Sequence, residues 1–296
     1  MENKTILITG ATAGIGLAAA TELARRGARI LGVSRNPEKC AHIAAQLRGD
    51  TENPEVAFIP GDLSSQRDIH RLAGEIRSKY AHIHVLINNA GAIHIARKLT
   101  VDGIERTFAL NHLGYFLLTS LLLDTLKASA PARIINVSSS AQYGGQIRWD
   151  DVSLSGRYQP MKAYRQSKLA NMLYTHELAR RLAGTGITVN AMHPGLVNTD
   201  IAQGNGWLIG LLRRYILRNA LTPEEGARTI VYLASSPEVA DVTGNFFVRE
   251  KVRAPAAASL DEEAARRLWE LSEQMTQTQP NLYRKGREEA QSKRST

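Results

Sequence analysis

One cysteine, Cys40, occurs in 296 residues, so no internal disulfide can form. The fold must hold by burial alone, and the shortage of thiols fits a reducing compartment. Cys40 lies in "NPEKCAHIAAQL" and is expected to pack on a helix rather than react. Long apolar runs are also missing. The longest, "GYFLLTSLLL", is about half of the ~20 residues a bilayer-spanning helix needs, so no transmembrane segment is expected. "MENKTILITG" enters a strand-like run at once, and no signal peptide is expected there. These absences point to a cytoplasmic protein, at most peripheral to a membrane. The histidines show no metal-ligand spacing, which argues against a metal centre. No basic stretch interleaved with aromatics and no reading motif accompanies the net charge of +9, which argues against nucleic acid as a partner. The charge is uneven: three arginines fall in "LLRRYILR" (211–218), and the tail "RKGREEAQSKRST" holds five basic residues against two acidic ones. Attraction of a phosphorylated cofactor, or of an anionic membrane surface, is a better use of it.

What is present is a regular alternation. "TILIT" (5–9), "ARILGVS", "EVAFIP", "HIHVLINN", "RIINVSSS", "GITVNAMHPG" and "GNFFV" read as strands. Helices are expected in "GIGLAAATELARRG", ended by Gly27, in "PEKCAHIAAQL", opened by Pro37, and from about Ser65 to Tyr80. A long helix is expected between about Val101 and Lys127, and another carries Tyr164 after an irregular loop from Ala141 to Tyr158. "TPEEGARTIVYLASS" opens with a capping box of Thr222, Pro223 and Glu225. Seven strands, mostly apolar on both faces, predict an α/β fold: a single-domain, Rossmann-type, doubly wound parallel sheet with helices on both faces. No linker or repeat divides it. The domain is expected over 1–258, followed at 259–296 by a short helix and a polar, basic tail of disordered composition.

"ITGATAGIGLAAATELA" places Gly10, Gly14, Ile15 and Gly16 between the first strand and the first helix. Glycines there let the backbone turn sharply and bring a phosphate to a helix N-terminus. A tight turn needing positive φ is the plainer explanation, but the position in the first βα unit favours a nucleotide. "TGATAGIG" (9–16) is followed by "GDL" (61–63), "NNAG" (88–91), "LNHLG" (110–114), "INVSSS" (135–140), "YRQSK" (164–168) and "HPG" (193–195). With these motifs in this order, the chain resembles the short-chain dehydrogenase/reductase family, in its single-domain branch, from Lys4 to about Val248. The stretches around "LNHLGYFLLTSLLLDTLKASAPARIINVSSSAQ" and "SKLANMLYTHELARRLAGTGITVNAMHPGLVNTD" resemble its retinol dehydrogenase members. The resemblance implies hydride transfer between a nicotinamide and a carbonyl or alcohol carbon.

Tyr164 and Lys168 lie four residues apart, on one helix face. Tyr158 and Lys162 share the spacing, so spacing alone decides nothing. Pro160 puts Tyr158 ahead of the helix start, and the Ser-Lys of "YRQSKLA" matches the family motif, so Tyr164 and Lys168 are the expected pair. A free phenol ionises near ~10, and an ammonium beside it favours the phenolate, as does an oxidised nicotinamide. By resemblance, Lys168 also binds the nicotinamide ribose, Ser139 rather than Ser138 or Ser140 polarises the carbonyl, and Asn111 holds a water beside the lysine. As a residue, Asn111 also fits a polar position at a helix kink.

The second strand ends in "VSRNP", with Ser34 where NAD-preferring members place an acid and Arg35 next to it. A guanidinium suits a 2′-phosphate, so NADP(H) is the expected cofactor. The resemblance places Asp62 and Leu63 at the adenine, Asn89, Ala90 and Gly91 at the adenosine ribose, and Pro194, Gly195, Val197 and Thr199 at the nicotinamide. His193 is expected to pack. A substrate lid is implied at about 201–221, where Trp207, Leu208, Leu211, Leu212 and Tyr215 recur at helical spacing. That pattern equally fits an ordinary amphipathic helix. The expected protein is an NADP-dependent oxidoreductase for an apolar aldehyde, ketone or alcohol, retinal-like or long-chain. Two alternatives stay open: an NADPH-dependent carbon–carbon double-bond reductase, and a silent nucleotide sensor. Homo-oligomerisation stays open too.

Overall fold

A computed structural model describes residues 1–197, 202–203 and 220–278. Strand β1 (Thr5–Thr9) is buried at every position, as a strand covered on both faces must be. The other strands are β2 (Arg29–Ser34), β3 (Val56–Pro60), β4 (Val85–Asn88), β5 (Ile93–His94), β6 (Ala132–Val137), β7 (Ile187–His193), β8 (Ala202–Gln203), β9 (Phe246–Val248) and β10 (Lys251–Arg253). Eight of them form one sheet in the order β10-β9-β7-β6-β4-β1-β2-β3, while β5 pairs with β8. Only β10 runs antiparallel to its neighbour. Strands are added outward from β1 to β3, and then in the other direction from β4. The winding therefore reverses between β1 and β4, and their carboxyl ends open a crevice there.

Helices cover both faces. On one, α1 (Gly14–Arg25) and α8 (Pro223–Ser235) pack Ala20, Leu23, Ile230 and Leu233 against Ile6 and Ile8 of β1. Leu7, pointing the other way, meets α3 (Gln66–Lys79), α5 (Gly114–Leu121) and α7 (Pro160–Arg181) through Ile69, Leu72, Phe116 and Leu178. The expected helix ends hold: Asn36 caps α2 (Pro37–Thr51) by accepting Lys39 N at 2.7 Å, and Thr222 with Glu225 caps α8 reciprocally.

Three features differ from expectation. The main sheet has eight strands rather than seven, because β10 turns back through Arg249 and Glu250, both at positive φ. All three residues of β10 are exposed, so its sequence carries no apolar alternation to read. The expected long helix begins only at Arg106. It runs through the short α4 (Arg106–Phe108), widens into a π turn over Ala109–Leu113, and resumes as α5 and α6 (Leu123–Lys127). Finally, the last helix, α9 (Glu262–Thr276), enters the core: Trp269 is 2% exposed. Thr199, the lid residues Trp207, Leu208, Leu211, Leu212 and Tyr215, and the tail beyond residue 278 lie outside the described residues. Among the described residues no helix is long and apolar enough to cross a membrane.

Candidate active site

The glycine loop leaves β1 at Gly10, whose φ is +68, and Gly14 holds +55. A Cβ on Gly16 would stand 2.4 Å from both Asn89 Nδ2 and Gly10 O, so no larger residue fits without opening the loop. The loop is tied to the end of β4. Asn89 Nδ2 donates to Thr9 O at 2.8 Å, and the Thr9 hydroxyl accepts from Asn89 N at 2.8 Å and Ala90 N at 3.0 Å. Thr9 thus locks the two strand ends at the reversal point. It opens the motif that singled out the glycines, yet a threonine there reads simply as the last strand residue. Helix α1 begins after Ala13, which offers no side-chain cap to its first N–H groups.

At the end of β2, the Ser34 hydroxyl pairs with Thr12 Oγ1 at 2.8 Å. Arg35 is exposed, and among the described residues it makes no ion pair. Asp62 accepts Ser64 N at 2.9 Å and Ser64 Oγ at 2.7 Å, which fixes the bend after β3. Leu63 is buried, and its carbonyl lies against Gly114. Across the crevice, Ile15 and Val197 approach each other over Gly226, where a Cβ would come within 2.8 and 2.6 Å of them. Gly195 has φ +88, and Pro194 beside it is half-buried.

Tyr164 and Lys168 stand one turn apart near the start of α7, both buried. Lys168 Nζ donates to Val137 O at 2.8 Å and lies 5.6 Å from the centroid of the Tyr164 ring. Burial lowers the lysine to about 7. Burial also raises the Tyr164 phenol above its usual value, and a hydrogen bond with Ser139 opposes that rise. Ser139 sits just past β6 and accepts Ala141 N at 3.2 Å. Its neighbours are placed otherwise: Ser138 Oγ donates to Lys168 O at 3.0 Å, and Ser140 is exposed. Half-buried His193, at the end of β7, is lowered to about 4, first by burial and then by Lys168.

Asn111 lies inside the π turn, a widened turn that frees backbone groups. Its side chain is fully committed. Oδ1 accepts Ala92 N at 2.9 Å, while Nδ2 donates to Ala92 O at 3.1 Å and Ser167 Oγ at 3.0 Å. The side chain therefore pins the strand β4 loop to the turn, as a kink residue would. Gly91 is held between: a Cβ on it would lie 3.2 Å from Asn111 Oδ1 and 3.7 Å from Lys168 Nζ. Ser167, which takes Asn111 Nδ2, donates to Tyr164 O at 2.8 Å within α7 and so ties the π turn to that helix. Its place inside "YRQSK" marks the motif but gives no sign of this contact.

Tyr158 lies ahead of α7, as Pro160 predicts. Its hydroxyl donates to His94 O at 2.9 Å and meets Glu105 Oε1 at 3.2 Å. Burial, with the Glu105 carboxylate adding to it and Thr107 opposing, pushes this phenol up to about 12. It is a tether.

A doubly wound sheet with a glycine loop at its reversal, and a Ser–Tyr–Lys cluster beside that loop, defines a nicotinamide-type oxidoreductase scaffold. The chain matches the short chain dehydrogenase family over residues 4–206 and belongs to it. It is similar to human retinol dehydrogenase 13, at 45% identity over 275 residues covering 90% of this chain and 82% of the relative. Human polyprenol dehydrogenase is 38% identical over 93% of this chain and 85% of its own length. Among solved structures, a Mycobacterium paratuberculosis protein superposes with a TM-score of 0.78 at 34% identity, covering 94% of this chain and 95% of its own. Pseudomonas aeruginosa RhlG, solved as an NADP active-site complex, gives a TM-score of 0.65 at 29% identity over 83% of this chain and 94% of its own.

Proposed function

We propose that the protein is an NADP(H)-dependent alcohol dehydrogenase or carbonyl reductase for apolar aldehydes, ketones or alcohols. The observation that carries this reading is the convergence of Ser139, Tyr164 and Lys168 beside the Asn111 turn at the glycine-loop crevice. The residues fit the cofactor. The α1 N-terminus has no side-chain cap from Ala13 and suits a phosphate, and Arg35, which makes no ion pair among the described residues, follows the strand end where a 2′-phosphate would lie. Asp62 and Leu63 would border the adenine, Asn89 to Gly91 the ribose, and Pro194 to Val197 the nicotinamide. When bound, the nicotinamide gives or takes the hydride.

The chain's own part is the proton. In reduction, the Tyr164 hydroxyl protonates the substrate oxygen, Ser139 orients that oxygen, and the Lys168 ammonium favours the phenolate left behind. Oxidation runs the same steps backwards. An apolar substrate is supported by the relatives' names and by exposed Met161 and Leu196, which flank Tyr164 and Gly195 in sequence.

The test is NADPH oxidation with a series of saturated aldehydes of rising chain length, set against an enone. Turnover should rise with length by up to ~0.8 kcal/mol per buried methylene, about fourfold each, until the pocket is full. Oxidation with the enone alone, or with nothing in a broad carbonyl panel, would sink the reading.

The pH profile follows from the two shifts. Lys168 is lowered to about 7, whereas the phenol is raised, so alkali removes the ammonium proton first. Reduction needs both groups protonated. The kcat/KM for NADPH, which reports the free enzyme, is expected to fall as pH rises through about 7. A profile flat to pH ~9 would show that the ammonium is not required.

A further inference from the structure

The stretch "SAQYG" directly after Ser139 forms a short 3₁₀ turn, Ser140–Gly144. Ser139 caps that turn: its hydroxyl accepts Ala141 N at 3.2 Å, and its carbonyl accepts Gln142 N at 3.2 Å. The serine hydroxyl therefore moves with the turn. The turn rests on α7. A Cβ on Gly145, the next residue, would stand 2.7 Å from both Arg165 O and Leu169 Cβ, and these two residues directly follow Tyr164 and Lys168.

The turn is also gripped by an arm, residues 254–259, which joins β10 to α9 and lies outside the 4–206 matched to the family. Gln142 is wholly buried, and its Oε1 accepts Ala256 N at 3.2 Å. The amide cannot be turned over, because Nε2 would then face an N–H donor. Tyr143 OH donates to Ala254 O at 2.7 Å, and its ring meets Phe246 of β9 edge-on at 6.5 Å. The far end of the arm is tied back to α7, where His176 Nδ1 donates to Ser259 O at 2.7 Å. Two side chains of the Ser139 turn thus hold the backbone of the arm, and both turn and arm are fastened to the helix of Tyr164 and Lys168. Gln142 and Ala256 are 114 residues apart, so this grip is a tertiary contact and not a feature of the local turn. A buried N–H left without an acceptor is costly, and the turn is held to the arm accordingly.

We propose that Gln142 and Tyr143 are positioning residues for Ser139, through which the arm after β10 sets where the serine hydroxyl stands against Tyr164. The acceptor of Gln142 and the hydroxyl of Tyr143 are spent on the arm, so both residues act through the turn. The inference rests on the reading of Ser139 as the group that orients the substrate oxygen.

Gln142→Met keeps the length of the side chain and deletes one hydrogen bond. Gln142 Nε2 bonds nothing among the described residues, so no other contact goes with it. With NADPH and a saturated aldehyde, Gln142→Met is expected to lower kcat about tenfold and Tyr143→Phe about threefold, with KM for NADPH unchanged in both. In a Ser139→Ala background each should change kcat by less than about twofold, because the group they place is gone. A merely structural role would cost the same factor in both backgrounds. That result overturns the inference, and so does an unchanged kcat in Gln142→Met. Tyr143 is 55% exposed, so Tyr143→Phe leaves the packing in place even where Gln142→Met fails to fold, and its cycle with Ser139→Ala then decides. Hydrogen exchange at the Ala256 amide reads the grip without turnover: slow in the full unsubstituted chain, and at least about tenfold faster in Gln142→Met. An Ala256 amide that exchanges freely in the unsubstituted chain overturns the inference too. If that chain turns over no carbonyl at all, the functional reading fails instead, and the exchange still decides whether the arm holds the turn.

Discussion

Replacing Tyr164 by phenylalanine is expected to lower kcat by ~10²–10⁴-fold while KM for NADPH stays nearly unchanged, because the change deletes a proton donor and little surface. The ring stays where it is: it is 7% exposed and packed near Lys168, so the cavity keeps its shape. The control is Tyr158→Phe. That phenol, pushed up to about 12, holds its proton toward His94 O and Glu105 and is no use as an acid near neutrality. Glu105 is 1% exposed, and its carboxylate accepts Thr107 N, Phe108 N and the Tyr158 hydroxyl. Tyr158→Phe removes one of these donors, so it should lower stability by ~1 kcal/mol and leave turnover in place. A thermal melt and a single rate measurement on each variant separate the two roles. Loss of turnover in Tyr158→Phe with retention in Tyr164→Phe would reverse the assignment.

The glycine loop and the Tyr–Lys pair were legible because local physics dictates them. A strand end followed by Gly10, Gly14 and Gly16 permits few backbone paths, and Pro160, together with the family resemblance of "YRQSK", separates Tyr164 from Tyr158. Strand and helix order followed from apolar runs that must be buried on both faces. The π turn was not legible. Its widening depends on Asn111 reaching Ala92 and Ser167, and both partners are set by tertiary packing rather than by neighbours in sequence. The same holds for α9: its periodicity predicts a helix, while its docking depends on Trp269 meeting Phe116 and Tyr174, far away along the chain. β10 escaped for the opposite reason, since an exposed edge strand needs no pattern at all.

Replacing Arg35 by alanine is expected to raise KM for NADPH about 10- to 100-fold and to change KM for NADH less than about twofold, since only NADPH has a phosphate to lose. In the proposed reading, the corner of the crevice after β2 takes the 2′-phosphate. Ser34 stands where an acid would repel it, and its hydroxyl is held by Thr12 at 2.8 Å. Arg35 directly precedes Asn36, whose side chain caps α2, so the guanidinium springs from a fixed point of backbone. Buried His94 is lowered to about 4, first by burial and then by Arg106, Arg35 and Lys98, against a smaller opposing pull from Asp62. A cationic corner of this kind strengthens a phosphate contact and makes it salt-dependent. Raising ionic strength should therefore weaken NADPH more than NADH in the unsubstituted enzyme, and the difference should shrink in Arg35→Ala. Equal losses for both cofactors would show that Arg35 shapes the loop rather than reads the phosphate.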